Sequence, residues 1–207
     1  RSLHLPSELS VQRRALPYPL IVQVCNRYYA AVHGAALIAC LVWLFVRHRE
    51  RYPKTRNSIA LVTGACLAIQ LVPVAPPRML DHLGFVDTGL LYHQSVYTAV
   101  GRGLADQLSA MPSVHVAWAV LIAMAVLGAG SGRWRWAVLA HPVATAIVVV
   151  VTGNHFWLDG AVAIALIPLA LLALRGAAAL APLLRVARRA RLGAPVLERR
   201  GYGWAER

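Results

Sequence analysis

The sequence predicts an all-α integral membrane protein, a multi-span helix bundle in a single domain, and three observations carry that prediction. The 207 residues are 58% hydrophobic and 14% charged, with a mean hydropathy of +0.57, too apolar for a soluble domain of this length. The apolar residues gather into runs that approach the ~20 residues a helix needs to cross a bilayer. The cations, which give a formal net charge of +13, are sorted into particular loops and are not spread along the chain.

Residues 1–27 come first. They include "LPYPLIVQV" (16–24), too short to span and opened by prolines, which reads as an interfacial segment on the extracytoplasmic side. Five spans follow, at 28–46, 57–74, 114–127, 136–151 and 161–184. The third is short and is expected to begin inside the motif ahead of it. The fifth is long and is expected to tilt or to end in an interfacial helix. With simple alternation, the loop "RHRERYPKTR" (47–56), the turn "SGRWRW" (131–136) and the tail "RVARRARLGAPVLERR" (185–200) share one side, which the positive-inside rule makes cytoplasmic. Residues 28–184 form the transmembrane core and 185–207 a basic cytoplasmic tail, read as an anchor at anionic lipid headgroups and not as a nucleic-acid arm. Arg1, Arg13, Arg14 and Arg27 sit on the outer face against the charge rule, and a further span ahead of Arg1 is expected. Cys40 and Cys66 lie in spans and Cys25 is left alone near the outer surface, so no disulfide framework follows.

The same alternation collects the unusual polar residues on the outer face. The second span ends in "VPVAPPRML" (72–80), whose prolines stop the helix and present Arg78 at the interface. The third opens with "AMPSVHVAW" (110–118): Ser113, after Pro112, is a good N-cap, and the helix start it caps is also where a phosphate oxygen would settle. His115 lies in the first turn. The fifth span opens with "GNHFWLDG" (153–160), in which His155 and Asp159 are an i, i+4 pair and so neighbours on one helix face. Aspartate there can take the proton on one imidazole nitrogen and leave the other free as a nucleophile.

Three constellations compete for these residues. A metal site of two histidines and an aspartate lacks a second carboxylate or a histidine pair at customary spacing. A serine hydrolase built on Ser113 lacks the glycines of a nucleophile elbow. Phosphoryl chemistry uses every part: Arg78 and helix N–H groups hold the anion, His155 attacks phosphorus, Asp159 orients His155, and His115 protonates the leaving oxygen, with no metal or cofactor.

Arg78, the stretch Pro112 to His115, and His155 with Asp159 resemble the type 2 phosphatidic acid phosphatase superfamily, over roughly residues 57–165. The resemblance implies a six-helix membrane bundle with its site at the outer leaflet. Family phosphatases carry a lysine where this chain has Leu71 and an arginine where it has Val149, and the only lysine, Lys54, is in a cytoplasmic loop. A site short of two cations suits a monoanionic phosphodiester better than a dianionic phosphomonoester. This favours the branch similar to inositol phosphorylceramide synthase, whose "APPR" and "PSxHxA" character appears at 75–78 and 112–117.

The implied activity is a lipid phosphotransferase. It moves a phospholipid headgroup phosphate to a lipid or polyol alcohol through a phosphohistidine, at the extracytoplasmic face of a bacterial plasma membrane. The alternatives are a lipid-phosphate or polyprenyl-diphosphate phosphatase, and a lipid-binding scaffold with a degenerate site. Asn26, Tyr29 and His33 share a helix face, readable as an interfacial belt or as headgroup recognition. Asp87 in "GFVDT" and Asn154 are further substrate-binding candidates. From the loop charges, a cysteine placed at Gly101 should react with an impermeant thiol reagent outside intact cells, and one placed at Ser131 should not. The opposite labelling would invert the topology.

Overall fold

The computed structural model describes residues 6–97 and 107–192, with side chains described to residue 182. Gly101, residues 1–5 and the part of the basic tail beyond residue 192 lie outside the described residues. Arg1–Leu171 form one compact unit and Leu172–Arg207 a second, of which the described part is helix.

Helix α1 (Glu8–Ala15) follows Ser7, with Glu8 in its first turn and Arg13 and Arg14 in its last, each charge matched to the helix dipole. Pro19 then starts α2 in its first turn, where a missing N–H costs nothing. The helix runs without a break over Pro19–Arg47, 29 residues. Residues 16–24 are therefore not a separate segment: the second proline marks a helix start, and the expected boundary at residue 27 falls inside a helix long and apolar enough to cross a membrane. Tyr28–Val32 form a π-helical turn within α2. Adjacent residues of a regular helix point about 100° apart. Here the widened turn brings both Tyr28 and Tyr29 round to His33, with ring centroids 5.3 and 6.2 Å away.

Helix α3 (Tyr52–Ile69) begins in the basic loop with a proline in its first turn and stops well short of the expected residue 74. The prolines at 73, 76 and 77 hold the residues before them extended, and Val74 makes a parallel bridge with Ser109. A one-turn helix α4 (Thr88–Leu91) is capped by Asp87, which accepts from Leu90 N at 2.9 Å. Helix α5 (Val114–Ala129) starts inside the "PSVH" motif as expected, capped by Ser113. Helix α6 (Ala140–Val151) continues a 3-10 run over Arg133–Leu139, and α7 is Trp157–Leu192. The expected core–tail boundary at 184/185 lies within α7.

Helix α5 is apolar on every face, the pattern of a helix enclosed by others. Its Ala117 and Leu121 pack with Ile59, Val62 and Cys66 of α3 and with Ala163, Ile167 and Ala170 of α7. Val116 meets Cys25 and Tyr29 of α2 and the valines 148–151 of α6, and Ile122 meets Cys40 and Leu44. Ala117, Ala119 and Ala123 allow the close approach that small residues give membrane helices. All three cysteines are buried and free.

Pro19–Arg47, Arg133–Val151 and Trp157–Pro182 are long and apolar enough to cross a membrane, and Val114–Ala129 is a shorter apolar helix. The second expected span differs because α3 spends its first turns on the basic residues Lys54 and Arg56. Ile38, Val42, Val46, Leu67, Val143 and Leu169 are each more than half exposed, an outer surface suited to lipid.

Candidate active site

The site is assembled by the segments that interrupt the helices. Where α3 stops, the extended chain pairs with the residues ahead of α5: Val74 N donates to Leu108 O at 2.7 Å and Ala110 N to Val74 O at 3.3 Å. That pairing fixes Ala110, whose carbonyl accepts from His155 Nδ1 at 2.6 Å. A carbonyl can only accept, so Nδ1 carries the proton and Nε2 presents its lone pair. His155 Nε2 is buried and has no hydrogen-bond partner among the described residues.

Asp159 Oδ2 stands 3.4 Å from the same Nδ1, beyond the short contact to Ala110. It accepts instead from Phe156 N at 2.8 Å, the way an acidic residue at the third helical position reaches back to the cap residue of its own helix. This corrects the sequence reading in its geometry. His155 precedes α7 and is not on its face, so the pair meets because Asp159 folds back over the helix start. The carbonyl, not the carboxylate, makes the closer contact on the imidazole.

The turn between α6 and α7 carries Arg78 as well. Gly153, at φ +68°, accepts from Arg78 N at 2.8 Å, and Asn154 N and His155 N both donate to Val149 O. Every guanidinium nitrogen of Arg78 is engaged: Nε donates to Asn154 Oδ1 at 3.1 Å, one terminal nitrogen pairs with Asp87 Oδ2 at 3.3 Å, and the other reaches Gln107 O at 3.4 Å. The Tyr97 ring lies against its face, 4.1 Å away.

Two cavities result. A small one of about 10 Å³, room for about one water, is lined by Arg78, Asp87, Asn154, Asn26, Tyr29 and Tyr97 among others. A larger one of about 500 Å³ is lined by Tyr29, His33, Gln70, His115, Trp118 and His155 among others, Tyr97 included. Tyr29 and Tyr97 line both, their hydroxyls 2.9 Å apart, so a bonded tyrosine pair stands between the arginine and the histidines. The Tyr29 ring also packs against His115, tilted by 40° with centroids 4.4 Å apart, and the His115 and His155 ring centroids are 6.0 Å apart.

Arg78, Asp87, Asn154, Asn26 and Tyr29 therefore come together on one side, and His33, His115, His155 and Tyr29 on the other. Ser113 and Asp159 line neither cavity. Ser113 is fully buried, its Oγ accepts weakly from Val116 N at 3.5 Å, and its N–H donates to Asp159 O. The N-terminal turn it caps opens on the larger cavity through Val114 and His115. Asn26, Tyr29 and His33 are all buried, which removes the interfacial-belt reading. The Asn26 amide is taken up by Thr88 and Gln94. Leu71 is 83% exposed, and Val149, buried in the core, faces a separate apolar cavity with Val116, Phe156 and Ile164; neither lines the two cavities that hold Arg78 and the histidines.

Sequence reasoning missed the strap that closes this end. Gln12 of α1, fully buried, donates to Val86 O at 2.9 Å and Val151 O at 3.3 Å and accepts from Val86 N at 3.0 Å. Glu8 accepts from Trp157 N at 3.2 Å, and Trp157 Nε1 donates to Pro6 O at 2.9 Å. Tyr97 and the Ala110 carbonyl were missed too. Gly153 had a signal: a glycine directly after an apolar run is where a helix turns left-handed to end.

Comparison with protein families finds a match over residues 1–173, to the family described as the PAP2 superfamily. No curated protein and no solved structure matches the chain.

A Cβ at residue 153 would stand 2.9 Å from Gln12 Nε2 and 3.2 Å from Arg78 Cβ, at a φ that L side chains rarely adopt. Gly153→Ala should therefore cost about 1–3 kcal/mol, read as a lowered unfolding temperature in detergent. In a Gln12→Ala background the nearest crowding atom is gone, so the further cost of Gly153→Ala should shrink toward the backbone strain alone, and an undiminished cost would contradict the crowding.

Proposed function

The chain belongs to the PAP2 superfamily, and on that premise we propose that it is a phosphotransferase, similar to the inositol phosphorylceramide synthase branch, that exchanges one alcohol for another on a phospholipid phosphorus. Membership supports an integral membrane enzyme of phosphate esters. The donor, the intermediate and the membrane face are the proposal.

In the first half-reaction the Nε2 lone pair of His155 attacks the phosphorus of a phosphodiester lipid. The bond from phosphorus to the diacylglycerol oxygen breaks, and His115 gives that oxygen a proton. The headgroup phosphate is left on His155 as a phosphoramidate. In the second, an alcohol returns a proton to His115 as its oxygen attacks phosphorus and the P–N bond breaks. Ala110 O and Asp159 hold the His155 ring in the tautomer that attacks, and Arg78 with Asn154 meets the phosphate oxygens once the Tyr29–Tyr97 pair that closes off the arginine parts to admit them. The arginine-rich loops stand for the cytoplasmic side, which leaves the site extracytoplasmic.

The observation that carries the transferase reading is charge. Among the described residues lining either cavity, Arg78 is the only lysine or arginine, and it is already paired with Asp87 at 3.3 Å. The lining offers little net positive charge, enough for a monoanionic diester and poorly matched to a dianionic monoester. This argument stands on the cavities themselves and does not depend on what occupies positions 71 and 149.

His155→Ala should abolish turnover and any acid-labile phosphoenzyme formed from labelled phospholipid donors. Asp87→Asn, which keeps an oxygen to cap Leu90, should raise the rate on phosphatidic acid relative to a diester lipid by about tenfold, the worth of one charge-assisted contact. Rapid hydrolysis of phosphatidic acid with no turnover of any diester, whatever alcohol is supplied, would replace the transferase by a phosphatase. No turnover and no phosphoenzyme with any donor would leave a lipid-binding scaffold.

A further inference from the structure

We infer that the larger cavity is the acceptor subsite and that His33 selects alcohols bearing a second hydroxyl beside the reacting one; the inference rests on the transferase reading above. His33 is 2% exposed and lines the 500 Å³ cavity together with His115 and His155. Its Nδ1 lies 3.3 Å from the carbonyl of Tyr29, one turn back on α2. That contact assigns the ring proton to Nδ1, because the carbonyl can only accept. The remaining nitrogen, Nε2, is buried without a hydrogen-bond partner among the described residues.

A neutral imidazole so fixed offers a lone pair and nothing else. Phosphate oxygens are acceptors too, so His33 has nothing to give them, whereas a hydroxyl supplies the missing proton. The wall groups thus differ in chemistry: Arg78 and Asn154 present hydrogen-bond donors to an anion, whereas His33 presents an acceptor to an alcohol.

His115 is the partner that takes the proton of the reacting hydroxyl, and its ring stands edge-on to His33 with centroids 4.7 Å apart. An alcohol whose reacting oxygen addresses His115 carries any hydroxyl on its neighbouring carbon within reach of His33. A simple primary alcohol leaves His33 Nε2 unpaired in a buried wall, which a site built for a hydroxyl penalises. His141 does not compete for the role: its Nδ1 lies 2.7 Å from the Tyr28 hydroxyl, and although its Nε2 is buried without a partner among the described residues, it does not line this cavity.

The test is a competition. The full chain, in detergent with one labelled phosphodiester donor, is given an equimolar mixture of a long-chain vicinal diol and the primary alcohol of the same length. Both acceptors draw on one phosphoenzyme, so the product ratio does not depend on how fast that intermediate forms. The wild type should favour the diol by about tenfold. His33→Phe should bring the ratio near one, and His33→Gln, whose Oε1 can accept from a hydroxyl, should keep part of the preference. A wild type that transfers to both acceptors without preference overturns the inference, as does a His33→Phe variant that keeps the full wild-type ratio. If the wild type makes no transfer product with either acceptor, the transferase reading falls and this inference falls with it.

Discussion

The 2.6 Å hydrogen bond from His155 Nδ1 to the Ala110 carbonyl is the contact on which the arrangement of the site turns. An imidazole buried in an apolar bundle must satisfy its N–H or lose about 1–3 kcal/mol, and whichever group satisfies it decides which nitrogen is left to react. Ala110 holds that position because the chain beside it pairs with Val74, and Val74 is extended because prolines end α3 ahead of it. A helix terminator thus sets, through one strand-like contact, the tautomer of a histidine on the opposite connection. Asp159 stands close enough to stabilise positive charge on the ring while its own geometry is fixed by the start of α7. His33 obeys the same rule through the Tyr29 carbonyl.

The arginine side depends on a different economy of space. Gly153 lets α6 end in a left-handed turn whose carbonyl holds the Arg78 backbone and whose next residue holds the Arg78 side chain. Gln12 fills the gap above that turn with an amide that bonds in both directions. Arg78 reaches the site along backbone and side chain at once, which is how a long flexible residue is kept from sampling other rotamers in a cavity this small. The tyrosine pair then separates it from the imidazoles, and the π-helical turn in α2 is what brings Tyr29 to that place beside His33 and His115.

Much of this was legible in the sequence, for identifiable reasons. Apolar runs of bilayer length report helices directly, because that signal is local and additive. The motif residues at 78, 113, 115, 155 and 159 could be found because each sits at a helix boundary marked by proline or glycine. What escaped depended on contacts between distant segments. Prolines at 17 and 19 look alike as breakers, and only packing shows that the second opens a long helix. Gln12 looks like any polar residue of a surface helix until Val86 and Val151 close on it. Spacing alone put His155 on a helix face, yet the helix begins two residues later. Asp87 could be guessed at from position, but its pairing with Arg78 is a fact of three dimensions.

That pairing bears on how a turnover ends. The Arg78 and Asp87 side chains are 4% and 16% exposed, and a guanidinium so enclosed would be costly to leave without a counter-charge. Asp87 is a resident anion on that cation. Under the proposed reaction, an arriving phosphate would enter by exchange with a carboxylate and not by falling into an empty electrostatic well, and a departing one would be replaced by a group tethered a few ångströms away. The affinity given up on entry would return as ease of departure, so one neighbouring side chain would guard against tight product retention, the usual hazard of a buried arginine.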